Sequence, residues 1–259
     1  MGRPMGSSAT DRITDVTPSH DRLERPTRRH SLRTLAAEAV RQGKPPLDEY
    51  FNSLFTAFGP QHWWPGRGQF EVIVGAILTQ NASWANVERA IANLRGAGLL
   101  AAGAISKVSL PRLERLIRPS GYFRQKARKL KAFSEFLRAG YGGSLRTMFL
   151  TPTMVLREKL LAVWGIGPET ADSILLYAGE HPVFVVDAYT RRLLARHGWI
   201  AEKADYEDVR WIFEREFPGD TKRFNEFHAL IVQAGKNFCR AHDPNCAACP
   251  LGRYLEEGR

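Results

Sequence analysis

The sequence contains no run approaching the 18 or so consecutive apolar residues that cross a bilayer, so a membrane-spanning helix is excluded. Cysteine is scarce: Cys239, Cys246 and Cys249 are the whole complement, too few and too local for a disulfide scaffold, and a cytoplasmic setting is expected. Strand-like text is nearly missing, with only Val183–Val186 apolar and β-branched enough to suggest one. A P-loop, a G-x-S-x-G elbow, an H-E-x-x-H pair and any internal repeat are all absent, which removes several classes of chemistry. What the chain has instead is positive charge. Its 259 residues carry 37 Lys+Arg against 27 Asp+Glu, a formal +10. That balance points first to nucleic acid and second to an anionic membrane surface, with a basic tail on a soluble protein as the plainer reading.

Part of the charge is a tail. Residues 1–46 hold nine Lys/Arg and five Asp/Glu, lack apolar periodicity and are rich in Ser, Thr, Pro and Arg, so they read as a disordered basic segment. Arg28-Arg29 does not open an export signal, because the apolar stretch after it is short and broken by Glu38.

From Leu47 onward the periodicity is helical, and the fold class is all-α. Leu47, Phe51, Leu54, Phe55 and Phe58 form one stripe, closed by Gly59-Pro60. Phe70–Leu78 runs into Gln80-Asn81, and Val87, Ala90, Ile91 and Leu94 follow. Leu113, Leu116 and Ile117 predict a short helix stopped at Pro119. Ala127 to Leu137 predicts a long one stopped at Gly140. Further helices flank Gly165-Ile166-Gly167 and follow Asp187, Tyr206 and Phe224.

Two local features carry chemistry. Gly165-Ile166-Gly167-Pro168 joins two apolar stripes, and a tight glycine turn at a helix start aims backbone N–H groups outward, a nest for a phosphate oxygen. It misses the dinucleotide G-x-G-x-x-G, since a helix precedes it and Thr170 holds the third glycine place. The plain reading is a helix connector. About twenty residues on, Asp187 follows four apolar residues and opens a helix, where its plain role is an N-cap.

Together these segments resemble the helix-hairpin-helix (HhH-GPD) DNA glycosylase superfamily of the endonuclease III type. The resemblance rests on Val163–Ala171 for the hairpin, Val185-Val186-Asp187 for the catalytic loop and Leu78-Thr79-Gln80-Asn81 for a loop entering DNA, and it runs from about Phe51 to Cys249. It implies two helical subdomains with a DNA cleft between them. Residues 47–69 and 183–259 form one, with the cysteine loop, and 70–182 form the helix-hairpin-helix unit. It also implies double-stranded DNA with a damaged base as partner, a flipped-out nucleotide, a monomer and no membrane. By the same resemblance Asp187 is the catalytic carboxylate, which stabilises an oxocarbenium-like sugar and handles the attacking water. Gln80 fills the gap in the base stack; Gly165, Ile166, Gly167 and Thr170 contact DNA.

One position departs from the bifunctional members. Where they carry a Schiff-base lysine, this chain has Glu169, which cannot form an imine, so a monofunctional enzyme is expected. Glu169 is placed at the pocket mouth as a second candidate catalytic carboxylate, or as a first-turn glutamate favoured by the helix dipole. The segment with Trp63, Trp64 and Trp84 resembles the bacterial 3-methyladenine glycosylase III branch, which implies an aromatic clamp of Trp64 and Trp84, with Trp63 adjacent. Electron-rich indoles suit a cationic alkylated purine, although paired tryptophans before a proline also make packing corners. Trp164 is expected in the core.

Cys239-x6-Cys246-x2-Cys249 matches three of the four ligands of the superfamily's [4Fe–4S] loop, and the fourth place is Leu255. A cluster with an incomplete set, a zinc site completed by His242, or no metal (with Lys236 organising the loop) all remain open. Arg124, Lys126, Arg128, Lys129 and Lys131, with Arg191 and Arg192, read as a solvated face, some members of which would contact phosphates; Lys126 is the chosen candidate. Two other functions compete: an endonuclease III-like glycosylase/lyase for oxidised pyrimidines, and a non-catalytic DNA-binding protein.

Overall fold

The computed structural model describes residues 43–64 and 66–255. The basic segment up to residue 42, Pro65 and residues 256–259 lie outside the described residues. The last residues of the expected tail are packed: Pro45 is buried, and Lys44 pairs with Glu216 at 2.9 Å.

The described residues are helical and contain no strand. In order come α1 (Leu47–Phe58), α2 (Gln69–Leu78), α3 (Trp84–Gly96), α4 (Ala102–Lys107), α5 (Leu110–Ile117), α6 (Phe123–Tyr141), α7 (Leu145–Phe149) and α8 (Thr153–Leu161). After the hairpin, α9 (Pro168–Ser173) continues into a π-helical turn, Ile174–Ala178, followed by α10 (Ala188–Arg196), α11 (Tyr206–Glu216) and α12 (Thr221–Asn237). Val183–Val186 is buried and extended but not a strand. Its N–H groups find no strand partner: Val183 donates to the His181 carbonyl at 2.9 Å, Phe184 to Glu214 at 3.0 Å and Val186 to the Tyr206 hydroxyl at 3.2 Å.

Several stripes settle differently from the sequence pattern. In α1 the buried residues are Leu47, Tyr50 and Leu54, while Phe55 faces out. Helix α6 passes through Gly140 and ends at Gly142, whose φ of +61° turns the chain away. Helix α8 ends at Leu161, so Trp164 leaves its stripe and is 56% exposed rather than in the core.

Helices α4 and α5 pack on α6, and α1 and α10 pack on α12. Helix α2, buried along almost its whole length, touches α3, α6 and the π turn. The π turn also meets α12, so the two groups of helices join there. A π turn adds one residue to a helix and often marks a functional site. Here it carries Tyr177.

A buried ion pair ties the hairpin's two helices together. Arg157 on α8 donates to both oxygens of Asp172 on α9, at 2.7 and 3.1 Å, and to Glu207 on α11 at 2.6 Å. The Asp172 side chain has no solvent exposure. Arg157→Ala strands that carboxylate in the interior and is expected to cost about 3–5 kcal/mol in urea unfolding. An unchanged unfolding midpoint contradicts this account.

Candidate active site

The hairpin turn uses one left-handed glycine. Gly165 has φ +81°, and a Cβ there would lie 2.6 Å from the Lys129 stem that covers it. Gly167 is extended, at φ −96°, and caps α9; its carbonyl accepts from the Ala171 N–H at 2.9 Å. Ile166 is buried, and its N–H donates to the Val163 carbonyl at 3.0 Å. Thr170 is 6% exposed, and its hydroxyl accepts from Gln80 Nε2 at 2.7 Å. It is therefore a support inside the hairpin and not a phosphate contact. Gln80 also approaches the Gly165 carbonyl at 3.4 Å and receives a bond from Lys129 Nζ, so its amide is held against the hairpin.

Asp187 performs the cap expected of it. Its Oδ1 accepts from the Thr190 N–H at 2.8 Å, fixing the carboxylate at the start of α10. Oδ2 lies 3.5 Å from His228 Nε2 on α12. Burial alone would raise the Asp187 pKa, but the His228 imidazole beside it, with the Thr190 bonds, outweighs burial and holds the group below its ordinary value. Glu169 is pushed the other way, by its packed surroundings and by the Asp187 charge, although the residue reaches solvent. Two carboxylates with opposed shifts share one site, the pattern by which acid and base roles separate.

Tyr177, beside both carboxylates, leads on to an aromatic cluster of Trp63, Trp64 and Trp84. Trp64 is wedged over Gly75, where a Cβ would come within 3.1 Å of its ring, and its centroid is 5.1 Å from Tyr177. Trp64 meets Trp84 edge to face, at 5.1 Å and 88°. That geometry leaves no slot between them, so the expected Trp64–Trp84 clamp is corrected. Trp63 and Trp84 are 6.4 Å apart and tilted by 40°, so a planar ring enters between them only if the two rings part. Lys236 Nζ stands 5.7 Å over the Trp63 ring.

Lys126 does not belong to a DNA surface. It is 2% exposed, and its ammonium donates to the carbonyls of Leu78 at 2.8 Å and Ser120 at 2.6 Å. Burial, with the neighbouring Lys129 charge, lowers its pKa to about 8. Lys131 is likewise engaged, by the Ser106 and Val108 carbonyls, and Arg192 by the Cys239 carbonyl. Arg124 and Arg128 remain exposed. By tying Ser120 to Leu78, Lys126 brings the Gly121-Tyr122 turn beside the Gln80 loop. Tyr122 there is 67% exposed with φ +43°. The sequence reading passed over Tyr122, although an aromatic next to a Pro-Ser-Gly stop was visible. It also passed over Tyr177 and His228, which look like ordinary core positions on their helices.

The three cysteines line one small cavity with Leu193, Arg196, His197, Phe238 and Leu255. Arg196 donates to Cys239 Sγ at 3.1 Å. Burial and the other two thiols raise the Cys249 pKa. Among the described residues no three His, Cys, Asp or Glu side chains are arranged to hold a metal ion. The place of a fourth ligand is the apolar Leu255, and His242 is exposed and does not line the cavity. This donor set does not fit a four-thiolate cluster, nor the zinc site with His242.

Known proteins resemble this chain over most of its length. Residues 74–218 match the family described as HhH-GPD superfamily base excision DNA repair protein. A Methanocaldococcus jannaschii protein, provisionally named a DNA repair glycosylase, is 46% identical over 206 residues, covering 79% of this chain and 93% of that protein. The H. pylori 3-methyladenine DNA glycosylase bound to 1,N6-ethenoadenine superposes with a TM-score of 0.66 at 29% identity, covering 73% of this chain and 97% of that one. An endonuclease III–DNA complex gives a TM-score of 0.70 at 23% identity over 82% and 94% of the two chains, a likeness of fold.

Lys126 supplies a test of the site's construction. Lys126→Met leaves two buried carbonyls unbonded and is expected to cost about 2 kcal/mol in thermal or urea unfolding. The salt dependence of duplex binding should not change. A shallower salt slope with unchanged stability contradicts the buried role.

Proposed function

The chain belongs to the HhH-GPD superfamily of base excision DNA repair proteins, and on that premise we propose that it is a monofunctional DNA glycosylase for alkylated purines such as 3-methyladenine. The observation that carries this reading is the capped Asp187 with Glu169 beside it at the hairpin, joined through Tyr177 to a cluster of three tryptophans.

Hydrolysis breaks the bond between C1′ and the base nitrogen, and the electron pair leaves with the base. A 3-alkylated adenine is already cationic and departs neutral, so little acid assistance is needed. Asp187 stabilises the positive charge growing on the deoxyribose and takes the proton of the water that attacks C1′. Glu169, whose pKa is raised, is the neighbour able to hold a proton. As a carboxylate it cannot form the imine through which a lyase works. Trp63 and Trp84 part to receive the flipped base between them, and Trp64 backs Trp84.

The duplex is held without reading sequence. The Gly165 and Gly167 N–H groups take a phosphate, Arg124 and Arg128 add charge, and Gln80 and Tyr122 lie at the point of insertion. No step in this scheme passes through the cysteine cavity.

Purified protein incubated with a methylated duplex is expected to release 3-methyladenine and to leave no borohydride-trapped adduct. A thymine glycol duplex should be left intact. A trapped adduct, or preference for thymine glycol, overturns the assignment in favour of an endonuclease III-like enzyme. Asp187→Asn should lower the rate by about 10²–10⁴-fold while keeping duplex affinity. Full turnover in that variant removes Asp187 from the mechanism.

A further inference from the structure

Behind Asp187 lies a second layer of polar groups. His228 is 5% exposed, and its Nε2, 3.5 Å from Asp187 Oδ2, has no hydrogen-bond partner. A buried polar atom left open is uncommon and calls for a reason. Bonds around a reacting group are often long before substrate binds and shorten afterwards. The other ring nitrogen, Nδ1, lies 2.6 Å from the Tyr177 hydroxyl. Burial, then the Asp187 and Glu169 charges, push the Tyr177 pKa well above its ordinary value, so the phenol keeps its proton and can donate it to Nδ1. Donation to Nδ1 leaves the imidazole proton on Nε2, facing the carboxylate.

We propose that Tyr177 and His228 are positioning residues that keep Asp187 ionised, the phenol fixing the tautomer and the imidazole N–H turned to Oδ2. This rests on Asp187 being the catalytic carboxylate. The groups around Asp187 are His228 from α12, Tyr177 from the π turn, Glu169 from α9 and Thr190 of its own helix, with Arg191 acting on Glu169. Burial opposes ionisation, and the Thr190 N–H is already spent on Oδ1. His228 is what balances burial at the second oxygen. A histidine serving only as packing would not aim its open nitrogen at a carboxylate.

The test uses the full chain and duplex methylated with dimethyl sulfate, with the rate of base release followed against pH. Removing the donor in His228→Phe should move the acid limb to higher pH by about one unit, a tenfold lower rate on that limb. His228→Gln restores an N–H near the Nε2 position and should bring the limb most of the way back. Tyr177→Phe should move it in the same direction by less. A purely structural role lowers the rate equally at every pH and leaves the limb in place, which overturns the proposal. So does a Gln variant no better than Phe. Nitrogen-15 NMR of the wild-type imidazole gives a reading independent of mutation and activity: a proton on Nε2 is expected, and a neutral ring protonated on Nδ1 refutes the assignment. If Asp187→Asn retains turnover, the catalytic reading itself falls. If it is inactive while His228→Phe keeps the wild-type limb, only the present inference falls.

Discussion

The pair between Arg157 and Asp172 is the joint on which the site's geometry depends. It clamps the helix before the hairpin to the helix after it, and so fixes the angle at which the turn's backbone N–H groups point. Asp172 also bonds the Tyr206 hydroxyl, which accepts from Val186 N–H, one residue before Asp187. The phosphate-facing turn and the carboxylate are thus held in one frame by buried polar bonds. Such an arrangement gains little net stability over an apolar one, but breaking it on one side is costly. It specifies a position more than it adds energy.

The positive charge divides by the same logic. Lys126, Lys129 and Lys131 sit in the stretch that reads as a basic face, yet their ammonium groups bind carbonyls or an amide within the protein. A lysine stem is long enough to cross a helix interface and satisfy carbonyls that a loop leaves open. The surface charge offered to a polyanion by this stretch is therefore smaller than the count of cations suggests, and Arg124 and Arg128 carry it.

What was legible in the sequence was local. The helices, the Gly165 turn and the Asp187 cap each depend on neighbours within a few residues, and their patterns survive in the structure. What escaped depends on the rotation of one helix against another. Lys126 lies on the buried side of α6 because Leu78 and Ser120 offer carbonyls there, and nothing in its own segment says so. Tyr177 meets His228 across 51 residues, at a π turn whose extra residue resets which side chains face α12. The tryptophans were found by type, but their pairing follows from the void at Gly75 that takes Trp64 out of the slot.

The aromatic cluster and the carboxylate stand on different kinds of support. Trp63 and Trp64 belong to the non-helical stretch between α1 and α2, held mainly by side-chain bonds such as Gln61 N–H to Glu226. Asp187 is anchored to a helix start and a buried frame. Substitutions in that stretch can rearrange the aromatic cluster while leaving the Asp187 carboxylate, the proposed reacting group, where it is. For a lineage exposed to changing chemical insults, this separates the freedom to explore new lesions from the need to conserve bond cleavage, and the loop is where divergence among descendants should accumulate.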